Sequence, residues 1–142
     1  MKATDVIKRD HEAIKDLFEE FKDATAERRE EMVPIIFDAL DMHEKMEDDH
    51  IYSLMKGMVE DEDAFTELEH EQFKLKAEVI AARALPGDKE KRIDSMMATV
   101  LAHAEKEEVD LLPQAEKIFS GEKLEELGNQ MEPESVVANS EF

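Results

Sequence analysis

Apolar positions along this chain recur every third or fourth residue, and nowhere do they alternate with the period of two that a half-buried strand requires. Val6, Ile7, Ile14, Leu17, Phe18 and Phe21 form the first stripe. Thr4 or Asp5 ahead of it suits an N-cap, so the pattern predicts a first helix ending near Ala24. The polar stretch 22–29 holds the turn. A second helix follows to about Val59 with Ile36, Leu40 and Ile51 near one face, and Pro34 marks its first turn or a bend just inside it. Asp61–Asp63 caps a third helix, which runs to Leu85 on the stripe Phe65, Leu68, Phe73, Ala77 and Ile80. Leu85-Pro86-Gly87-Asp88 is the clearest break in the chain. The fourth helix starts there, carries Ile93, Met96, Met97, Val100, Leu101 and Leu111, and is kinked or ended by Pro113. Residues 122–127 add a helical turn.

Four long helices joined by short loops predict an all-α fold, an antiparallel up-down-up-down four-helix bundle over residues 1–127. Residues 128–142 are read as a loose C-terminal tail. Composition agrees: hydrophobic residues make up 42% of the 142, enough for a real core, with only four glycines and four prolines. The net charge of −20, from 38 acidic against 18 basic residues, repels nucleic acid and anionic membrane surfaces and attracts cations. Most of those acids form a solvated surface. The absence of cysteine excludes disulfides, thiolate zinc sites and iron–sulfur clusters. The first ten residues are charged and lack the apolar segment of a secretory leader, and no apolar run approaches a membrane span. A soluble cytoplasmic protein with no nucleic-acid or membrane partner is the expectation.

The chemistry lies in a repeat. His11 is followed 32 residues later by His43 with Glu47, and His70 is followed 33 residues later by His103 with Glu107. Residues i and i+4 share one helix face about 6 Å apart, so each His-x-x-x-Glu aims an imidazole and a carboxylate at one place. A lone histidine on an apolar face is usually a hydrogen-bonded core residue. Here the flanks repeat too: His11-Glu12 and His70-Glu71, each with Lys at +4 (Lys15, Lys74), and an acceptor at +7 from His43 and from His103 (His50, Asp110). A pseudo-two-fold axis is the simplest explanation of this parallelism. Glu47 and Glu107 sit among apolar neighbours, where an unpaired carboxylate costs several kcal/mol and a cation removes the cost. Four imidazoles and two carboxylates exceed one tetrahedral zinc and suit two metals bridged by the carboxylates. A ferritin-like reading on Glu47–His50 and Glu67–His70 leaves His11 and His103 without a role.

Asp10-His11, His43-Glu44-x-x-Glu47, His70-Glu71, His103-x-x-x-Glu107 and the following Leu111-Leu112-Pro113 resemble the hemerythrin-like, or HHE cation-binding, family of non-haem di-iron four-helix bundles over roughly residues 5–119. The resemblance implies that His11, His43, His70 and His103 are terminal ligands. It also implies that Glu47 and Glu107 bridge two iron ions, with an oxo or hydroxo group between them. Oxygen-carrying members have a second His where this chain has Lys74, and place the last carboxylate where it has Glu108, so Glu108 competes with Glu107. A more open site favours catalase-like or peroxidase-like decomposition of peroxide, or other reactive oxygen and nitrogen chemistry. Reversible binding or sensing of dioxygen, nitric oxide or iron is the alternative. Secondary candidates are His50 as a replacement ligand or supporting residue, Glu44 if it curls inward, Tyr52 as a phenolate, and Lys15 and Lys74 as donors above the site. At +9 from His43, an α-helix would point Tyr52 away.

Overall fold

Capping residues set the helix starts in this computed structural model, which describes residues 1–139. Helix α1 spans Ala3–Asp23; it opens after Lys2 with no side-chain cap, so Thr4 and Asp5, expected at its N-cap, lie inside its first turn. Thr25 accepts from the Arg28 N–H to open α2, Ala26–Glu47. Asp61 accepts from the Ala64 N–H at the start of α3, Glu62–Ala84, and Asp88 from the Lys91 N–H at the start of α4, Lys89–Lys106. Each side-chain oxygen satisfies an N–H that the helix leaves without an internal partner. Pro34 lies inside α2, about two turns beyond its start and so past the first turn where it was expected. Among the described residues there is no strand, and no helix is long and apolar enough to cross a membrane.

Neither α2 nor α4 stops where its α-helical pattern ends. Each passes into a π-helical turn, Asp48–Tyr52 and Glu107–Leu111, and then resumes as Ser53–Met55 and Leu112–Ile118. The two breaks fall immediately after Glu47 and Glu107, so the repeat seen in the sequence extends to the backbone. The residues buried around them also correspond: Glu47, Ile51, Tyr52 and Met55 in one, Glu107, Leu111, Leu112 and Ala115 in the other.

The core has two apolar parts. One gathers Phe18, Phe21, Phe37, Leu40, Val79, Ile93 and Val100; the other gathers Ile7, Met46, Ile51, Phe65, Leu68, Leu111 and Leu127. Buried His11, His43, Glu47, Gln72, His103 and Glu107 belong to neither part. On α3 the buried stripe is Phe65, Leu68, Gln72, Leu75, Val79 and Ala82. Phe73 and Ile80, expected inside, are 70% and 62% exposed. The helix carries two apolar stripes of similar spacing on opposite sides, and only packing against the other helices decides which one faces inward.

The C-terminal residues expected to be loose are ordered as far as Asn139; residues 140–142 lie outside the described residues. Ser120 caps a further helix, α5 (Gly121–Met131), and a 3₁₀ turn, Glu132–Glu134, leads into the short α6, Val136–Asn139. Leu124, Leu127, Met131 and Val136 bury their side chains. Arg9 donates to Glu132 at 2.8 Å and to Ser135 at 3.2 Å, and His50 pairs with Glu134. A segment that supplies both apolar area and the partners of charged groups on α1 and α2 has reason to stay packed. His50 therefore serves this segment.

Gly128 is where α5 crosses the amino terminus. A Cβ there would fall on the Met1 carbonyl oxygen and lie 2.8 Å from the Lys2 carbonyl carbon and 2.9 Å from the Ala3 nitrogen. Gly128→Ala is expected to lower stability by about 1–3 kcal/mol, the usual cost of forcing extra volume into a packed contact. Chemical denaturation checks it; an unchanged midpoint would show that α5 does not make this approach.

Candidate metal centre

Between the two apolar clusters, α1, α2 and α4 bring three imidazoles and two carboxylates together. Ligand atoms of His11, His43, Glu47 and Glu107 all lie within 4.8 Å of one another. His11 Nε2 lies 3.1 Å from Glu107 Oε1 and 3.7 Å from Glu47 Oε2. His43 Nε2 faces Glu47 Oε2 at 3.2 Å, and His103 Nε2 faces Glu107 Oε2 at 3.5 Å. Those last two are the i,i+4 pairs read from the sequence. All five residues are buried.

Each imidazole is held from behind by another carboxylate on its Nδ1: His11 by Glu108 at 2.8 Å, His43 by Asp10 at 3.1 Å and His103 by Glu71 at 3.0 Å. A carboxylate on Nδ1 fixes ring orientation and directs Nε2 inward, the arrangement found behind metal-bound histidines. Asp10 also accepts from the Val136 and Val137 N–H groups at 3.0 and 3.2 Å, so the start of α6 and the His43 ring share one anchor. Glu108 thus stands behind His11, while Glu107 occupies the centre.

His70 is not there. It is exposed on the outer face of α3, and the buried side chain that α3 supplies is Gln72. Gln72 donates to Glu47 Oε1 at 3.1 Å, and its Oε1 accepts from His103 Nε2 at 2.8 Å. Two residues on a helix are about 200° apart, so the inward stripe of α3 takes Gln72 and turns His70 outward. Lys74 is exposed on that outer side as well. Lys15 is exposed too, and with Glu12, Glu105 and Glu108 it lines an outer pocket of about 360 Å³ that backs on His11.

Tyr52, which α-helical geometry pointed away, is buried and donates to Glu107 Oε2 at 2.7 Å. A π turn closes on the fifth residue instead of the fourth, which swings Tyr52 round to lie one turn below Glu47. Glu44 is 6% exposed and lines the central cavity. Gln72 is the residue sequence reasoning missed; its one signal was the exact 3-4-3 spacing of Phe65, Leu68, Gln72 and Leu75.

Electrostatics follow from burial against pairing. Burial alone would push the His11 imidazole down, but the Glu107 and Glu47 carboxylates outweigh it and lift it to about 9. His103 reaches about 9 in the same way, through Glu107 and Glu71, and His43 is raised well above its ordinary value by Glu47 and Asp10. Burial would raise Glu47, yet His43 and His11 hold it well below the usual carboxylate range. Burial lifts Glu44 to about 8, helped by the charge of Glu47. Burial and the Glu107 charge push the Tyr52 phenol upward, so it stays a neutral donor.

The residues present fit a cation. His43 Nε2, Glu47 Oε2 and Glu44 Oε2 are buried without a hydrogen-bond partner of good geometry, which is costly unless something else satisfies them. All three residues line a cavity of about 20 Å³, along with His11, His103, Glu107 and Gln72. The donors are nitrogen and oxygen only, a set suited to iron, manganese or zinc.

Comparison with known proteins agrees. The chain belongs to the hemerythrin HHE cation binding domain family, which it matches over residues 2–119. Helices α5 and α6 lie beyond that match. The crystal structure of a hemerythrin HHE cation binding domain-containing protein from Mycobacterium kansasii is similar at a TM-score of 0.75 and 25% identity, over 92% of this chain and 83% of that one. No curated protein matches the chain.

Metal-free protein should show the pH response of its paired imidazoles. The folded values of His11 and His103, about 9, lie above the unfolded value of 6.5. Their contribution is therefore complete below about pH 6.5 and lost as pH rises through 9. Glu44, raised from 4.5 to about 8, adds loss in the same direction up to about pH 8. Melting of chelator-treated protein between pH 6.5 and 9 is expected to show a falling midpoint; a rising one would contradict these pairings.

Proposed function

We propose that this chain is a non-haem di-iron protein acting on oxygen species, most directly by decomposing hydrogen peroxide as a catalase does. The observation that carries the reading is the buried convergence of three imidazole Nε2 atoms on two carboxylates around a small cavity. The short connections between the four long helices support an antiparallel up-down-up-down bundle as its frame. His43 and Glu47 would hold one cation and His103 and Glu107 the other, with His11 between the two carboxylates. Glu44 and Tyr52 are the further oxygen donors beside them. Two bound iron ions would supply redox-active positions at which peroxide or dioxygen reacts.

The chain's own residues would prepare that chemistry. Asp10, Glu71 and Glu108 keep a proton on each Nδ1, so loading the centre displaces the protons from Nε2, and affinity should rise with pH. The Tyr52 hydroxyl and the Gln72 amide orient Glu107 and Glu47 by donating to their oxygens. Ile14, Leu40, Leu75 and Val100 line the cavity and exclude bulk water. Glu44, with its value near 8, carries a proton at neutral pH inside that wall and is placed to hold or release it there.

Reversible binding of dioxygen, nitric oxide or iron is the second reading. It is favoured by the size of the cavity, which has room for one water-sized body between apolar walls.

Aerobically purified protein is expected to hold about two irons per chain, as other carboxylate-bridged di-iron bundles do. Elemental analysis of variants checks the residue assignment. Glu47→Ala or His103→Ala should lose most of the metal, whereas His70→Ala and His50→Ala should retain it. Wild-type protein with no metal, or with a single zinc, would sink the di-iron reading.

An oxygen electrode separates the two functions. The iron-loaded protein is expected to evolve oxygen from peroxide over many turnovers. Reversible spectral change with nitric oxide and no turnover would leave the binding reading in its place.

A further inference from the structure

Gln72 stands in the centre where the repeat calls for an imidazole, and its contacts mirror those of His11 on the other side. His11, on α1, meets Glu107 of α4 at 3.1 Å and lies against the His43 ring of α2, with ring centres 4.9 Å apart. Gln72, on α3, meets Glu47 of α2 at 3.1 Å and His103 of α4 at 2.8 Å. Each therefore joins the carboxylate of the other hairpin to the histidine of its own. Gln72 is 2% exposed, and Leu68 and Leu75, one turn to either side, are held in the two apolar clusters, which fixes its place in the wall of the cavity.

The amide cannot be turned round. Its nitrogen faces acceptors only: Glu47 Oε1 at 3.1 Å, and the Glu44 carbonyl and Asp48 Oδ1 at 3.4 Å each. Its oxygen is thus the end presented to His103, and among the described residues His103 Nε2 is the one group that donates to it. A cation bound at His103 Nε2 takes the place of the hydrogen in that bond. Unless the same cation also binds Gln72 Oε1, a buried acceptor loses its only partner and bears the full desolvation penalty.

We propose that Gln72 Oε1 is a metal ligand: the neutral oxygen donor that α3 supplies to the cation held by His103 and Glu107, as the counterpart of His11. This assignment rests on the two-cation reading above and adds a donor which that reading does not include. Carbonyl oxygen binds hard cations such as manganese, and it serves beside carboxylate and imidazole without adding charge. The two ends of one side chain then do different jobs. The nitrogen goes on donating to Glu47, and the oxygen exchanges a hydrogen on His103 for the cation beside it.

Zinc is diamagnetic and accepts the same donors, so titrating it into chelator-treated protein reads the ligand directly by NMR, with no variant needed. The side-chain carbonyl resonance of Gln72 is expected to shift as zinc fills the centre, while those of Gln114 and Gln130 stay in place. Substitutions separate a ligand from a group that only orients its neighbour. Gln72→Leu should bind the second of two cations at least about tenfold more weakly, the least that loss of even a supporting group costs such a site. Gln72→Glu keeps an oxygen at the position but sets a further carboxylate against Glu47 in place of the amide donor. Binding should return to the wild-type level or better, because the oxygen ligates; a side chain that only oriented Glu47 would make this variant worse than Gln72→Leu. A Gln72 carbonyl that stays still while two zinc ions bind, or weaker binding by Gln72→Glu than by Gln72→Leu, would overturn the assignment and leave the two-cation reading in place. Saturation of the wild type at a single cation, with His103 and Gln72 unmoved, would overturn both.

Discussion

Burying two carboxylates at mid-core is the constraint around which the rest of this structure is arranged. Glu47 and Glu107 are each 1% exposed, lie between two apolar clusters, and come from the two helices that carry the sequence repeat. Removing such charges from water costs several kcal/mol apiece unless opposite charge and hydrogen bonds are supplied. The imidazoles of His11, His43 and His103 supply the first, and Tyr52 and Gln72 supply the second. Even so, His43 Nε2, Glu44 Oε2 and Glu47 Oε2 lack a hydrogen bond of good geometry, and these three residues line one cavity. A site that is neutralised yet incompletely satisfied is what a cation-binding protein needs, since full internal satisfaction would leave a cation nothing to gain.

The two π turns solve a geometric problem in that arrangement. An uninterrupted α-helix would carry the buried stripe past the cavity and send Tyr52 to the opposite side. One widened turn after each carboxylate resets the register, so that Ile51 and Tyr52, and Leu111 and Leu112, point inward beneath the polar layer. Since the same device appears at the same place in both halves, the pseudo-symmetry is a property of the backbone and not only of residue identities. The symmetry is imperfect where chemistry enters: Tyr52 corresponds to Leu112, and α3 offers Gln72 where α1 offers His11. The centre is accordingly richer in oxygen donors on one side than a two-fold would make it.

Support for the centre comes from outside the four long helices. Asp10 holds the His43 ring with one oxygen and the start of α6 with both, while Arg9 and His50 pair with acids of the preceding turn. Ordering of residues 120–139 and orientation of a central imidazole are thus coupled through one buried carboxylate. These residues lie beyond the part of the chain that matches the family model.

The sequence by itself determined helical class, the starts of α3 and α4 at Asp61 and Asp88, and the two i,i+4 pairs of the centre, because each depends on local spacing. His43–Glu47 and His103–Glu107 are i,i+4 pairs whose geometry a helix dictates, and His11 shares a stripe with six apolar residues. What the tertiary structure decided is which of two equivalent faces of α3 turns inward. Two stripes of like spacing make that choice invisible locally, and packing placed Gln72 at the centre and left His70, Phe73 and Ile80 outside. Tyr52 and the C-terminal segment were hidden for a related reason. A π turn has no local pattern to announce it, and the partners of residues 128–139 lie 84 to 127 residues away along the chain, reached only once the helices have packed.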